Sequence, residues 1–126
     1  MHLDALRHHC LAKPGTTEEL PFDDVTLVYK VLGKMFALHS LTREPAMVSL
    51  KTDPEVGEEL RASYSGIEPA WHMHKQLWIQ VHFDEDVDDA KILELVDTSY
   101  ALVVSKLRKK DREALAAMDE DDAEQD

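Results

Sequence analysis

With a single cysteine, Cys10, the 126-residue chain cannot form an internal disulfide, which suits a reducing cytoplasm. No apolar run approaches the roughly 18 residues that span a bilayer, so a membrane partner is not expected. The N-terminal MHLDALRHHC lacks an apolar stretch behind a basic start, and the expectation is no secretion signal. Positive charge is scarce: 14 Lys and Arg face 26 Asp and Glu, for a net charge of −12. Six of those acids lie in the last eight residues, DEDDAEQD, yet the remainder is still acidic. Such a field repels nucleic-acid phosphates and membrane surfaces at long range. Also missing are a G-x-S-x-G elbow, a P-loop, a dinucleotide fingerprint and a zinc-hydrolase motif. The chain offers no catalytic set, and the expectation is a non-enzymatic protein without cofactor.

What is present is enough for one domain. Hydrophobic residues make up 44% of the chain, which supports a core without covalent staples. Residues 2–13 have Leu3, Leu6, Cys10 and Leu11 at helical spacing, and Pro14-Gly15 ends the run. Thr16–Asp24 reads as a polar connector with Leu20, Pro21 and Phe22 inserted. Val25–Leu32 and Met35–Ser40 read as antiparallel strands about a Gly33-Lys34 turn. Thr42–Pro45 turns into a third strand, Ala46–Lys51. Thr52-Asp53-Pro54-Glu55 is a helix start with cap, first-turn proline and dipole-matched acid. That helix is expected to reach about Ser65, burying Val56 and Leu60, with Gly66 as its stop. Leu77–Phe83 alternates apolar and polar residues, the period of a half-buried strand. A last helix presents Ile92, Leu95, Val96, Ser99, Val103 and Leu107, and continues through Ala114–Met118. Residues 119–126 are expected to be disordered, because the acids repel one another and bury nothing.

The expected fold is therefore α+β: a single antiparallel sheet of four or more strands, helices packed on it, in the order α-β-β-β-α-β-α. The domain is expected over residues 1–110, with a helical extension at 111–118.

The chemistry-bearing residues gather in Gly66–Val81. His72 and His74 would share one face of a strand, but zinc requires more ligands and no third is well spaced. Trp71 and Trp78 read first as packing residues, and second as a stacking surface for a base or aromatic ligand. Cys10 sits beside His8 and His9, but adjacent helical residues do not face each other. A core thiol is the better reading. The one concentrated basic stretch is KLRKKDR, Lys106–Arg112. It reads as a solvated helix end or as a phosphate-binding strip over which the acidic tail could fold.

Five segments in order carry a resemblance: GTTEELPF at 15–22, VYKVLGKMFAL at 28–38, VSLKTDPE at 48–55, GIEPAWHMHKQLWIQV at 66–81 and SYALVVSKLRKK at 99–110. Over residues 1–110 the chain resembles the MmcQ/YjbR family. The family has Tyr-His-Met-Asn-Lys where this chain has Trp71-His72-Met73-His74-Lys75, and His-Trp at Leu77-Trp78. His74 is thus a departure. The resemblance implies a frataxin-like, CyaY-like double-wing fold, DNA binding and no established catalytic residues. Contacts to DNA would then come from Lys75 and Arg61, from Lys30 and Lys34 at the first hairpin, or from the Lys106–Arg112 strip, Arg108, Lys109 and Lys110 above all. Trp71, His72 and Trp78 complete the candidate binding set. A pI near 4.9 opposes that reading. Its rival is an acidic module for a protein or small-molecule partner.

Overall fold

The elements form where local chemistry asks for them. The computed structural model describes residues 1–124, without the side chains of 120–124. Helix α1 spans Leu3–Leu11, and Leu6 and Cys10 are its buried residues. Strands β2 (Thr26–Val31), β3 (Lys34–Ser40) and β4 (Met47–Lys51) follow. Helix α2 (Pro54–Ser63) begins at Asp53, whose carboxylate accepts the Glu55 N–H. Helix α3 spans Asp89–Ser105, capped by Asp88 on the Lys91 N–H. Every residue of the expected α3 face is buried, from Ile92 to Leu107. Each large apolar side chain there contributes about 1.5–3 kcal/mol before entropy is counted.

The sheet is antiparallel and six-stranded, because two strands join those expected. Strand β1 (Thr16–Glu19) pairs with β2, and β5 (Ile67–Pro69) pairs with β6 (Trp78–His82). The order across the sheet is β1-β2-β3-β4-β6-β5. Both additions are edge strands. β1 reads TTEE and has no apolar alternation, while β5 ends on Pro69, which an edge tolerates because no ladder donor is lost.

Four further expectations are corrected. The hairpin turn is Leu32-Gly33, both with positive φ (46° and 86°), the pair of conformations that matches strand twist. Lys34 therefore belongs to β3 and pairs with Val31. Val56 is 41% exposed, and Gly57 faces the core instead. A Cβ at Gly57 would come within 2.8 Å of Thr52 Cγ2. The last helix is not continuous: the chain breaks after α3 and resumes as α4 (Lys109–Glu124). The break lets α4 turn back, so that Leu115 is buried against the Gly15–Leu32 region. Finally, the acidic run is helical as far as Glu124, where disorder was expected from 119. Residues 125 and 126 lie outside the described part.

Helices α1 and α3 cover one sheet face, enclosing Tyr29, Val31, Phe36, Val48, Leu50, Ile79 and Val81. The register places the alternate residues on the other face: Met47 opposite His82, Ser49 opposite Gln80, Lys51 opposite Trp78. Among the described residues no helix covers that face. The loops 20–25 and 70–77 border that face instead. No helix among the described residues is long and apolar enough to cross a membrane.

Candidate anion-binding site

At one end of the sheet three lysines converge. Lys34 opens β3, Lys51 closes β4 and Lys106 caps the C-terminus of α3. With Gly33, Met35, Trp78 and Leu107 they line a groove of about 500 Å³. Trp78 is the cross-strand partner of Lys51 and is only 8% exposed, so its indole forms part of the wall. None of the ion pairs among the described residues involves Lys34, Lys51 or Lys106. Three lysines lining one groove without an ion-pair partner among the described residues favour an anion there.

Ser99 builds this end of the site from within. Its hydroxyl donates to the Phe36 carbonyl and accepts the Lys51 N–H at 2.8 Å. Phe36 is the unpaired residue of a bulge, since Tyr29 pairs with Ala37 while Lys30 pairs with Met35. The β3–β4 ladder pairs Ala37 with Leu50 and Leu38 with Ser49. One buried hydroxyl therefore ties α3 to two strands where their own ladder stops, and fixes the backbone that carries Lys51.

The other expected residues are dispersed. Trp71 is 55% exposed, with the Lys75 ammonium 4.7 Å from its ring centroid. These two satisfy each other through a cation–π contact worth about 0.5–1 kcal/mol at an exposed site. Trp71 therefore does not anchor the strand entry; Trp78 does. His72 and His74 lie in a looped segment, not on a strand, so the shared-face argument does not apply. His72 faces the helix-free side of the sheet, beside Met73. Among the described residues no cluster of three or more His, Cys, Asp or Glu could hold a metal ion. Arg108, just before α4, and Lys109, its first residue, pair with Asp111 and Glu113 at 3.4 and 3.9 Å. Such pairs are worth little and yield readily to another anion. Lys110 is exposed on the same helix. Lys30 pairs with Glu19 at 3.6 Å, and the Arg61 Nη1 is buried without a partner. Asp119, the first residue of the acidic run, lies beside Pro14 and Tyr100.

Lys51 escaped the sequence reading. Nothing in VSLKTDPE separates it from a solvated strand end, and its closeness to Trp78 is a product of strand pairing.

Buried polar chemistry elsewhere is structural. His39, 5% exposed, presents Nδ1 to the Ser40 carbonyl at 3.1 Å and Nε2 to the Tyr29 hydroxyl at 3.0 Å. A carbonyl only accepts, so Nδ1 carries the proton and Nε2 accepts from Tyr29. Burial holds this histidine below its ordinary pKa. Glu68 receives the Gln80 amide and contacts His82, and the His82 contact first, then Gln80, draws its carboxyl below the usual range. Burial pushes the Cys10 thiol up to about 12.

An open antiparallel sheet with helices on one face and a lysine-lined groove at one end defines a small α+β domain. The YjbR family model matches residues 11–102. Over 118 residues the chain is 34% identical to the uncharacterized protein YjbR of Escherichia coli strain K12, covering 94% of this chain and all of that one. Over 92 residues it is 36% identical to the uncharacterized protein YbdF of Escherichia coli O157:H7, covering 73% and 75% respectively. The crystal structure of Deinococcus radiodurans protein DR2400, with a DUF419 domain, superposes with a TM-score of 0.85 at 42% identity, over 90% of this chain and 87% of that one. A Pseudomonas syringae protein shares the fold with a TM-score of 0.69 at 24% identity, over 81% and 98%. The chain belongs to the YjbR family.

Proposed function

We propose that this protein is a non-catalytic binding domain whose cationic groove takes a phosphate backbone, with nucleic acid as the ligand class. The observation that carries the reading is the convergence of Lys34, Lys51 and Lys106 around Trp78, unpaired among the described residues of a chain with net charge −12. Arg108, Lys109 and Lys110 extend the strip from the break between α3 and α4. Lysines of this kind contact phosphates as point charges without reading sequence. Trp78 supplies an aromatic edge beside them, so an unpaired base has a surface to meet. The overall charge keeps affinity low and confines it to low salt.

The test is a titration of fluorescently labelled single-stranded and duplex oligonucleotides at several salt concentrations. Three phosphate contacts predict a log–log salt slope of about −2 to −3. Replacing Lys34, Lys51 and Lys106 by Gln should lower that slope by about one per residue. No saturable binding at low salt, or an unchanged slope in the triple variant, overturns the reading.

A further inference from the structure

The sheet face without helices contains a second, separate cavity. Its floor is Leu38 of β3, Met47 and Ser49 of β4, and Gln80 of β6; Ala70, His72 and Met73 roof it. Its volume is about 400 Å³. An adjoining space of about 410 Å³ shares Leu38, His72 and Met73 and continues to Phe22, Met35 and Trp78. Spaces of this size accept small molecules. The roof is pinned at its ends: Ala70 N–H donates to the Trp78 carbonyl at 3.2 Å, and Trp78 N–H to the His74 carbonyl at 2.9 Å. Between those pins lies Met73, whose unbranched thioether adapts to an occupant's shape.

The polar groups select the occupant. Gln80 is 7% exposed, and its amide nitrogen is committed to Glu68 at 3.0 Å. Ser49 adds a hydroxyl to the floor. At the rim stands Arg43, exposed and outside every ion pair among the described residues. On its other side Arg43 borders a cleft with Asp4, Glu44 and Asp84, and it pairs with none of them. A guanidinium fork matches a carboxylate with two parallel hydrogen bonds. Thr26, His39 and Ser40 also line the chamber, but most of its surface is apolar, and with methionine in the roof and an unpaired arginine at the rim it fits a molecule with an apolar body and one carboxylate.

We infer that this cavity binds a small amphipathic carboxylate, its body under the 70–77 segment and its carboxylate on Arg43. The cavity shares no lining residue with the lysine groove, which meets only the adjoining space, at Met35 and Trp78.

The experiment is an NMR titration with benzoate, indole-3-acetate and octanoate, each beside its uncharged amide. Inorganic phosphate serves as the control for the lysine groove. At least one carboxylate should give saturable shifts at Leu38, Ser49, Met73 and the Arg43 side chain, binding about tenfold tighter than its amide. Arg43→Gln, at an exposed position, should equalise acid and amide. Ser49→Leu, confirmed as folded by its amide spectrum, should abolish both by filling the floor. Equal binding of acid and amide to the unaltered protein overturns the inference. So does carboxylate selectivity that survives Arg43→Gln. Shifts confined to Lys34, Lys51 and Lys106, or none with any probe, overturn it as well, and none of these results touches the nucleic-acid reading.

Discussion

Replacing Ser99 by alanine removes one oxygen atom and strands two backbone groups. Ser99 is fully buried; its hydroxyl serves the Phe36 carbonyl at a strand bulge and the Lys51 N–H where the β3–β4 ladder stops. A buried backbone donor or acceptor left without a partner costs about 1–3 kcal/mol. Lys51 is only half-buried, so water recovers part of its loss, and the expected total is about 3 kcal/mol. Against a stability of roughly 5–15 kcal/mol for a domain, that is a large fraction. With an unfolding entropy of about 2.1 cal/mol/K per residue, the midpoint should fall by about 10 °C. Ser99→Thr keeps the hydroxyl and should retain most of the hydrogen bonding. Urea denaturation measures the stability, and amide hydrogen exchange reads the Lys51 N–H directly. Because that amide fixes the backbone beneath one lysine of the groove, oligonucleotide affinity should weaken under conditions where the variant is fully folded. A loss below about 1 kcal/mol with unchanged Lys51 exchange would show that the hydroxyl does not tie α3 to the sheet.

His39 gives a stability that depends on pH. Burial depresses its folded-state pKa from the ordinary value near 6.5. As pH falls below about 6.5, the unfolded chain therefore takes up the proton first, and stability declines from there to the folded-state pKa. His39→Gln should flatten that segment of a stability–pH curve; an unaltered slope would place the titration elsewhere. Cys10, its thiol pushed up to about 12 by burial, should resist iodoacetamide in the native protein near neutral pH and react on unfolding. Rapid native labelling would contradict its place on the buried face of α1.

Strands β2, β3 and β4 were legible from the turns that separate them, and β6 from the alternation of Leu77–Phe83. The α3 face was legible for the corresponding helical reason, down to the polar Ser99 within it. The start of α2 was readable in Thr52-Asp53-Pro54-Glu55, since capping is decided within a few residues. Strands β1 and β5 were not readable. Their pairing energy comes from hydrogen bonds to a neighbour distant in sequence, and TTEE or IEP carries no trace of that neighbour. The turn at Leu32-Gly33 was misplaced by one residue because Leu32, not Lys34, takes the second positive φ.

The candidate site was legible only in part. Lys34, Trp78 and the basic stretch after α3 were singled out as residue types, but Lys51 and Arg43 were not. Trp71 and Lys75 drew attention as a pair of binding residues and turn out to contact each other.

Sequence alone determined the class of fold, the helix faces and caps, the four core strands and the family, because these are written in local periodicity and ordered motifs. Tertiary structure decided which charges meet. Lys34, Lys51 and Lys106 are spread over more than seventy residues and gather only because β3, β4 and the end of α3 reach the same end of the sheet. It also decided that the helix-free face is roofed by residues 70–77, leaving a cavity rather than a surface. Electrostatic convergence and enclosed volume depend on distances through space, and a chain read residue by residue does not contain them.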